Sequence, residues 1–372
     1  MKVLAQISRI LVGVLFIISG FIKANDPLGF SYKLVEYFGV FGISWLNAFA
    51  LALAIGICAF EIGLGIALLL GAKMNFTAWS LLLLIIFFTF LTFYSWKFEV
   101  VKDCGCFGDA LHLTPLQSFM KDLVLLVLIL FIFAGRKDIH PLMGDRASTF
   151  FAYVGFIGSF LFSLYCYWHL PIIDFRPFAI GKSIPDGMKL PPGAKTDSII
   201  MVFTYEKGGK KIELGMDQLN TIDSTYKFID RKDKVIREGD RPKIHDFILK
   251  SEDGTDVTDD ILKMDQVFLL VAYDIHHEDA GVQGKVNDFV ALCQQARVEF
   301  IGLTASLPKE VEAFRHEHNS MFQYYYCDDT PLKTMVRSNP GLMLLKKGVV
   351  VAMWAYHDFP TFDQVKNKYL NK

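Results

Sequence analysis

Cys104 and Cys106 are the residues of this sequence best placed for covalent chemistry, because a single glycine separates the two thiols. Thiols at this spacing can come within disulfide range, although the small ring that results is strained. Strained, exposed disulfides are the labile ones that serve in catalysis. The spacing therefore predicts a redox-active pair. It is also compatible with a static disulfide or with two thiolate ligands of a metal.

A second group of candidates lies within apolar sequence, where charge is costly. Glu61 stands near the middle of an apolar run, and a carboxylate in such a position usually marks function. Cys58 precedes it by three residues and so shares its helix face. Arg9 lies in another apolar run and is expected to reach Glu61. The pair is interpreted either as a link that only holds two helices together or as groups that handle a proton or a ligand.

Two polar segments in the second half of the chain complete the candidates. The run His276–Asp279 has metal-ligand residue types, but adjacent side chains diverge and no further ligands follow at a fixed spacing. A solvated polar loop is therefore predicted there, and no metal site. Asn339 and Pro340 precede an apolar strand and are candidate binding residues. A proline at this place begins the strand or lies in a turn, and a cis peptide bond is open to it.

The elements that must position these residues divide the chain into two unlike parts. Residues 1–170 carry 11 Lys/Arg and 9 Asp/Glu, whereas residues 171–372 carry 27 and 30. The first part contains five apolar runs of about twenty residues, the length that a bilayer core requires. They are Val3–Ile22, Asn47–Gly71, Phe76–Trp96, Leu116–Ala134 and Phe150–Leu170. The pattern predicts a bundle of about five transmembrane helices, with the lipid bilayer as its first partner.

The orientation of this bundle is predicted from its Lys and Arg residues. With the N-terminus in the cytoplasm, the inner side carries six and the outer side five. The short loop with Arg136, Lys137 and Arg146 favours this choice, which places the Cys104–Cys106 loop and the C-terminal domain outside. The net charge of −1 and the lack of a basic tract exclude an electrostatic footprint for nucleic-acid binding.

The second part of the chain has the composition of a water-soluble domain. A proline-punctuated linker and a small β-rich region are predicted over residues 172–241. Strands alternate with helices over residues 242–372 and end in a hairpin and a helix, which indicates a mixed α/β sheet. The fold class predicted for the whole chain is therefore a membrane α-helical bundle followed by an α/β soluble domain.

The membrane part resembles the DoxX/MauE group of four-helix membrane proteins over residues 1–135, with residues 136–171 as a fifth helix. The resemblance lies in RILVGVLFIISGFIKANDPLGF at Arg9–Phe30, AFEIGLGIALLLG at Ala59–Gly71 and CGCFGD at Cys104–Asp109. MauE-type members are implicated in assembling a disulfide-rich periplasmic enzyme subunit, and the DoxX name comes from a quinone-linked oxidoreductase subunit. The resemblance implies an inner-membrane protein tied to thiol or quinone chemistry.

Residues 242–372 are similar to thioredoxin-like domains of the TlpA type. PKIHDFILKSEDGTDVTDDIL resembles their first hairpin, and RSNPGLMLLKKGVVVAMW at Arg337–Trp354 resembles their cis-Pro segment and final hairpin, which implies that Pro340 is cis. A CxxC motif should follow the strand Phe268–Tyr273, but DIHHEDAGVQGK stands there without a cysteine. Because thiol–disulfide exchange needs an attacking thiolate, this domain is expected to bind a partner instead. The combination is similar to a family of Bacteroidetes-type bacteria.

The leading hypothesis is an inner-membrane redox or maturation factor. Cys104 and Cys106 would exchange disulfides with periplasmic client proteins, while Glu61 and Arg9 would face a bundle cavity that could hold a quinone. One alternative is a non-enzymatic membrane scaffold whose thioredoxin-like domain binds a partner protein. A second alternative, a small-molecule transporter, is motivated by Glu61 but lacks an internal repeat or a pair of broken helices.

Overall fold

The computed structural model describes residues 2–101, 105–194, 198–216, 219, 222–223, 225–237 and 239–370. Within these residues, five helices are long and apolar enough to cross a membrane, as predicted. They cover Val3–Asn25, Ser44–Leu70, Met74–Phe98, Pro115–Asp138 and Asp145–Trp168. A helix satisfies its own backbone hydrogen bonds, which is why apolar runs of this length fold as helices in lipid.

The membrane part contains one helix that the sequence did not predict. Its helices are α1 (Lys2–Asn25), α2 (Pro27–Val40), α3 (Ala50–Leu70), α4 (Met74–Phe98), α5 (Pro115–Gly135) and α6 (Asp145–Trp168). The unpredicted helix is α2, which begins at Pro27, two residues after the end of α1. The Asp26 carboxylate accepts a hydrogen bond from the Gly29 backbone N–H at 2.9 Å and so caps α2. With 14 residues, α2 is about 21 Å long, too short to cross a hydrocarbon core of about 30 Å.

Helices α1 and α3 run antiparallel and pack through glycine. A Cβ atom at Gly65 would lie 2.8 Å from the Gly13 carbonyl oxygen, so the two backbones approach too closely for a side chain at this point. Small residues permit such close approach between membrane helices. The contact fixes the register of α1 against α3, and this register decides which side chains of the two helices meet.

Two candidate spans, α5 and α6, separate the loop that carries Cys106 from residue 169 onward. An even number of crossings returns a chain to the side from which it started. A chain that crosses the membrane in both spans would therefore have this loop and its C-terminal part on the same side, whichever side faces the cytoplasm.

Ser183–Phe247 form a compact unit of their own. The unit contains the short helix α7 (Ile184–Gly187) and the strands β1 (Ser198–Lys207), β2 (Lys210–Gly215) and β3 (Lys227–Arg237). The strands form an antiparallel sheet in the order β2-β1-β3. A Gly208-Gly209 turn joins β1 to β2, with positive φ at both glycines.

The C-terminal part of the chain is an α/β domain, as the alternating pattern predicted. Its sheet has the order β6-β5-β4-β7-β8, in which β4, β5 and β6 are parallel and β7 and β8 form an antiparallel hairpin. The strands are β4 (Val267–Val271), β5 (Glu299–Thr304), β6 (Gln323–Tyr326), β7 (Gly341–Lys346) and β8 (Val349–Ala355). The helices are α8 (Thr258–Lys263), α9 (Gln283–Ala296), α10 (Pro308–His318), α11 (Asp329–Met335) and α12 (Phe362–Val365).

The core of the α/β domain lies between the sheet and its helices. Phe268 of β4 packs edge-to-face on Phe289 of α9, with ring centroids 5.0 Å apart, and both side chains are buried. Burying such rings gives the domain its main stabilising term. The Asn339–Pro340 peptide bond that precedes β7 is cis, as the resemblance implied.

Candidate functional site

A cavity of about 50 Å³ lies within the membrane bundle, at the end that carries the Cys106 loop. Residues of helices α1 to α5 and of this loop line it. Its walls are largely apolar, but they include the polar residues Ser19, Lys23, Glu61, Cys106, Lys121 and Asp122. Polar groups that face one another inside an apolar bundle are costly and therefore mark a candidate site.

The partner of Glu61 in this cavity is Lys23. The Lys23 Nζ lies 2.5 Å from the Glu61 Oε1, and the two side chains are only 4% and 3% exposed. The ammonium also lies 5.2 Å from the ring centroid of Phe30 and 5.3 Å from that of Phe88. The carboxylate and the two ring faces together compensate a charge that lipid would not solvate. The other oxygen, Glu61 Oε2, is buried without a hydrogen-bond partner among the described residues.

The expected contact between Arg9 and Glu61 is wrong. Arg9 lies 14 residues before Lys23, which is about 21 Å along α1. Its guanidinium donates to the backbone oxygens of Leu68 at 2.8 Å and Leu69 at 2.5 Å. These carbonyls belong to the last turn of α3, where helix carbonyls lack the usual donor four residues ahead, and the Leu68 oxygen also accepts from the Gly71 backbone N–H at 3.2 Å. Arg9 therefore caps the end of α3 and holds α1 against it, which is a structural role.

Replacing Arg9 by methionine is expected to destabilise the bundle by about 1–3 kcal/mol, because buried α3 carbonyls lose their donors. Thermal unfolding of the detergent-solubilised chain measures this loss. Gln6→Met is the matched control, since Gln6 only accepts a bond from Arg9 within α1. The alkylation rate of Cys106 should stay unchanged in both variants, and a changed rate in Arg9→Met would contradict a purely structural role.

A second buried carboxylate, Asp122 of α5, faces the same cavity. The Lys121 Nζ lies 2.8 Å from its Oδ1, and the Thr92 hydroxyl donates to its Oδ2 at 2.9 Å. The Asp122 side chain is 1% exposed. Sequence reasoning missed this residue, although the signal that drew attention to Glu61, a carboxylate within an apolar span, was present here as well.

Cys106 is half-buried at the edge of the cavity, while Cys104 lies outside the described residues. The Cys106 backbone oxygen accepts a hydrogen bond from the Ser19 hydroxyl at 2.9 Å, which ties the loop to α1. Lys23 interacts electrostatically with the thiols of both Cys106 and Cys58. Cys58 is fully buried one turn before Glu61. The structure thus brings Cys58, Glu61 and Cys106 together around Lys23.

Asn339 and Pro340 do not line the cavity. The Asn339 side chain donates to the Asp274 backbone oxygen at 2.6 Å, and its own backbone oxygen accepts from the Asp279 N–H at 3.1 Å. These bonds hold the segment in which the resemblance would have placed a CxxC motif. Asn339 and Pro340 therefore organise the α/β domain itself.

The run His276–Asp279 is only partly the solvated loop that the sequence predicted. His276 and His277 are exposed, but Glu278 is buried and accepts a hydrogen bond from the Gln283 side chain. Burial, with a smaller contribution from Asp279, raises the pKa of Glu278 to about 8. The prediction is wrong for Glu278 because the loop folds back onto the start of α9, and the sequence does not show this.

A quinone does not fit the cavity. An apolar cavity of about 150 Å³ is known to bind benzene, and the volume here is about 50 Å³. A quinone ring is larger than benzene, whereas the volume available corresponds to a few water molecules. The expectation of a quinone next to Glu61 and Arg9 therefore has no support in this geometry, and no chemical step is assigned to one.

Comparison with known families separates the membrane part from the rest of the chain. Residues 1–135 match the family described as methylamine utilisation protein MauE. Residues 199–238, which include most of β1 and all of β2 and β3, match a domain of unknown function, DUF8463. No curated protein and no solved structure matches the chain. The family match covers the helices and the loop that form the cavity, so the membrane part of this chain is similar to proteins of the MauE family.

Proposed function

We propose that this chain is a multi-pass protein of the bacterial inner membrane that exchanges disulfides with proteins of the envelope through Cys104 and Cys106. The observation that carries the proposal is the position of Cys106 at the edge of a largely apolar cavity that the Lys23 ammonium also lines. A cation beside a thiol stabilises the thiolate, which is the nucleophile and the leaving group in thiol–disulfide exchange.

The exchange balances without a cofactor. A client thiolate attacks the Cys104–Cys106 disulfide, forms a mixed disulfide with one sulfur and releases the other as a thiolate. The second client thiolate then displaces the bound cysteine. The client gains a disulfide, and Cys104 and Cys106 become two thiols with the two electrons and two protons that the client has lost. The same steps in reverse reduce a client.

The C-terminal α/β domain has a supporting part in this proposal. It resembles a thioredoxin of the TlpA type, but its segment from Asp274 to Lys285 contains no cysteine and so cannot exchange disulfides. The domain lies on the same side of the membrane as the Cys106 loop. With the N-terminus in the cytoplasm, as the charge count favours, both face the periplasm, where disulfides form.

Trapping of mixed disulfides in cells tests the proposal. In Cys104→Ser or Cys106→Ser, the remaining thiol cannot resolve a mixed disulfide, so one of the two variants should accumulate adducts that reductant removes. The Cys104→Ser/Cys106→Ser double variant is the matched control and should form none. Cys293→Ser, which changes a buried cysteine of the α/β domain, should behave as the unchanged chain.

The alternative is a scaffold whose α/β domain binds a partner protein and whose CGC pair is a fixed disulfide. It predicts no adduct in either single variant and an unchanged thiol state of every envelope protein. That result would contradict the proposed exchange.

A further inference from the structure

Arg337 of the α/β domain inserts its side chain between two carboxylates of the membrane part. Its Nε lies 3.0 Å and 2.9 Å from the two oxygens of Asp26, and its Nη2 lies 3.1 Å from the Asp109 Oδ2. The Arg337 side chain is 6% exposed. Charge-assisted hydrogen bonds of this kind are among the strongest that side chains form, especially where water is excluded.

The Arg337 guanidinium makes further contacts with a backbone carbonyl and an aromatic ring. Its Nη1 donates to the backbone oxygen of Lys333, and its centre lies 5.6 Å from the ring centroid of Tyr32. The Tyr32 hydroxyl in turn lies 3.3 Å from the hydroxyl of Tyr273 in the α/β domain. At Gly29, a Cβ atom would lie 2.8 Å from the Arg337 Nη2 and closer still to the Asp26 carboxylate, so a larger residue would crowd this ion pair.

Two carboxylates of the membrane part, those of Asp26 and Asp109, depend on Arg337 for their ion pairs. Burial raises the pKa of Asp109, Arg337 opposes this effect, and the nearby Asp26 adds to it. The two carboxylates in turn raise the pKa of Arg337 against its own desolvation. If the guanidinium were removed, two partly buried carboxylates would lose the cation that contacts both of them, which is unfavourable for both.

The two carboxylates join the parts of the membrane domain that form the cavity edge. Asp26 directly follows α1, whose last turn carries Lys23. Asp109 ends the CGCFGD segment, three residues after Cys106. By binding both, Arg337 fixes the Cys106 loop relative to the end of α1, and the Ser19 bond to Cys106 acts in the same direction.

We propose that Arg337 is a positioning residue that holds the Cys106 loop at the cavity edge, so that the α/β domain acts on the CGC pair of its own chain. The biological role of this positioning rests on the proposed disulfide exchange. The position of the Cys106 loop can be tested separately. Arg337 lies three positions before Pro340, so the segment that precedes the cis peptide bond contacts the membrane part.

The rate at which iodoacetamide alkylates Cys106 in the purified full-length chain tests the inference, followed at this residue by peptide mass spectrometry. In Arg337→Gln the loop is released, and the rate should rise at least tenfold because half-buried Cys106 becomes accessible. Arg337→Lys keeps the charge but cannot contact both carboxylates in the same geometry. Its alkylation rate should therefore lie between that of the unchanged chain and that of Arg337→Gln. Asp109→Asn removes one partner only, and it should raise the rate in a chain that remains folded.

Asp358→Asn is the matched control. Asp358 contacts His169 at 2.8 Å, which is another link between the α/β domain and the end of α6, and no contact joins it to the described residues of the Cys106 loop. Its alkylation rate should equal that of the unchanged chain. Unchanged rates in both Arg337→Gln and Asp109→Asn, with normal gel-filtration profiles, would overturn the inference.

A second readout separates this inference from the proposed function. Mixed disulfides are compared in the single-cysteine variant, Cys104→Ser or Cys106→Ser, that accumulates them, with and without Arg337→Gln. Their yield in cells should fall at least tenfold when Arg337→Gln is added, because the loop is no longer held at the cavity edge, while the amount of folded protein in the membrane stays the same. If neither single-cysteine variant forms a mixed disulfide but Arg337→Gln still raises the alkylation rate of Cys106, the exchange function fails and the positioning role stands. If mixed disulfides form equally with and without Arg337→Gln, at equal alkylation rates, the positioning role fails and the exchange function stands.

Discussion

Replacing Lys23 by methionine is expected to lower the free energy of unfolding of the membrane bundle by about 3–5 kcal/mol, the cost of leaving a buried charge without its partner. The loss is large because Glu61 is 3% exposed and because its second oxygen has no hydrogen-bond partner among the described residues. Equilibrium unfolding in mixed detergent micelles measures it.

Two variants make this expectation specific to the pair. Lys23→Met combined with Glu61→Met replaces both charges by apolar side chains of similar volume, and stability should return to within about 1 kcal/mol of the unchanged chain. Lys33→Met breaks a partly exposed pair with Glu36 at 3.1 Å and should cost less than about 1 kcal/mol. Additive losses in the double variant would contradict a direct Lys23–Glu61 interaction.

The stability of the α/β domain is expected to fall as the pH rises from 5 to 8, because of Glu278. The pKa of this carboxyl is about 8 in the folded chain, against an ordinary value of 4.5. Between these values the folded state keeps a proton that the unfolded state has released. Stability is therefore highest below pH 4.5, falls through this window at up to about 1.4 kcal/mol per pH unit, and levels off above pH 8.

Hydrogen exchange of peptides from β4 and β5, corrected for intrinsic rates, measures this pH dependence in the full-length chain. Glu278→Gln should remove it and should stabilise the domain by a few kcal/mol at pH 8, roughly the cost of the shifted pKa. The amide oxygen can still accept the bond from Gln283. Glu252→Gln, at an exposed carboxylate, is the control and should keep the slope. Equal slopes in Glu278→Gln and the unchanged chain would contradict the assignment.

The sequence by itself determined the five spans and the α/β domain of this protein, but not helix α2. Apolar runs of about twenty residues can satisfy their backbone hydrogen bonds in lipid only as helices, so the five spans were readable directly. The alternation of strands and helices after Pro242 indicated an α/β domain, which the structure contains. Glu61 was predicted as a candidate site residue from the energetic cost of a carboxylate in an apolar helix. Such a carboxylate needs a compensating group, whatever the rest of the fold is.

The identity of that compensating group was decided only by the tertiary structure. Arg9 and Lys23 both lie on α1, and the sequence alone does not show which of the two contacts Glu61. The close contact of Gly13 with Gly65 sets the register of α1 on α3, which brings Lys23 to Glu61 and Arg9 to the end of α3.

Contacts between parts of the chain that are distant in sequence could not be predicted from the sequence either. Arg337 lies 311 residues from Asp26 and 228 from Asp109, and none of the three stands out within its own segment. Glu278 looked solvated because its neighbours are polar, although the fold buries it. Local patterns report what a segment can form on its own, whereas the pairing of charges depends on which segments the packed chain brings together, and that is a property of the whole fold.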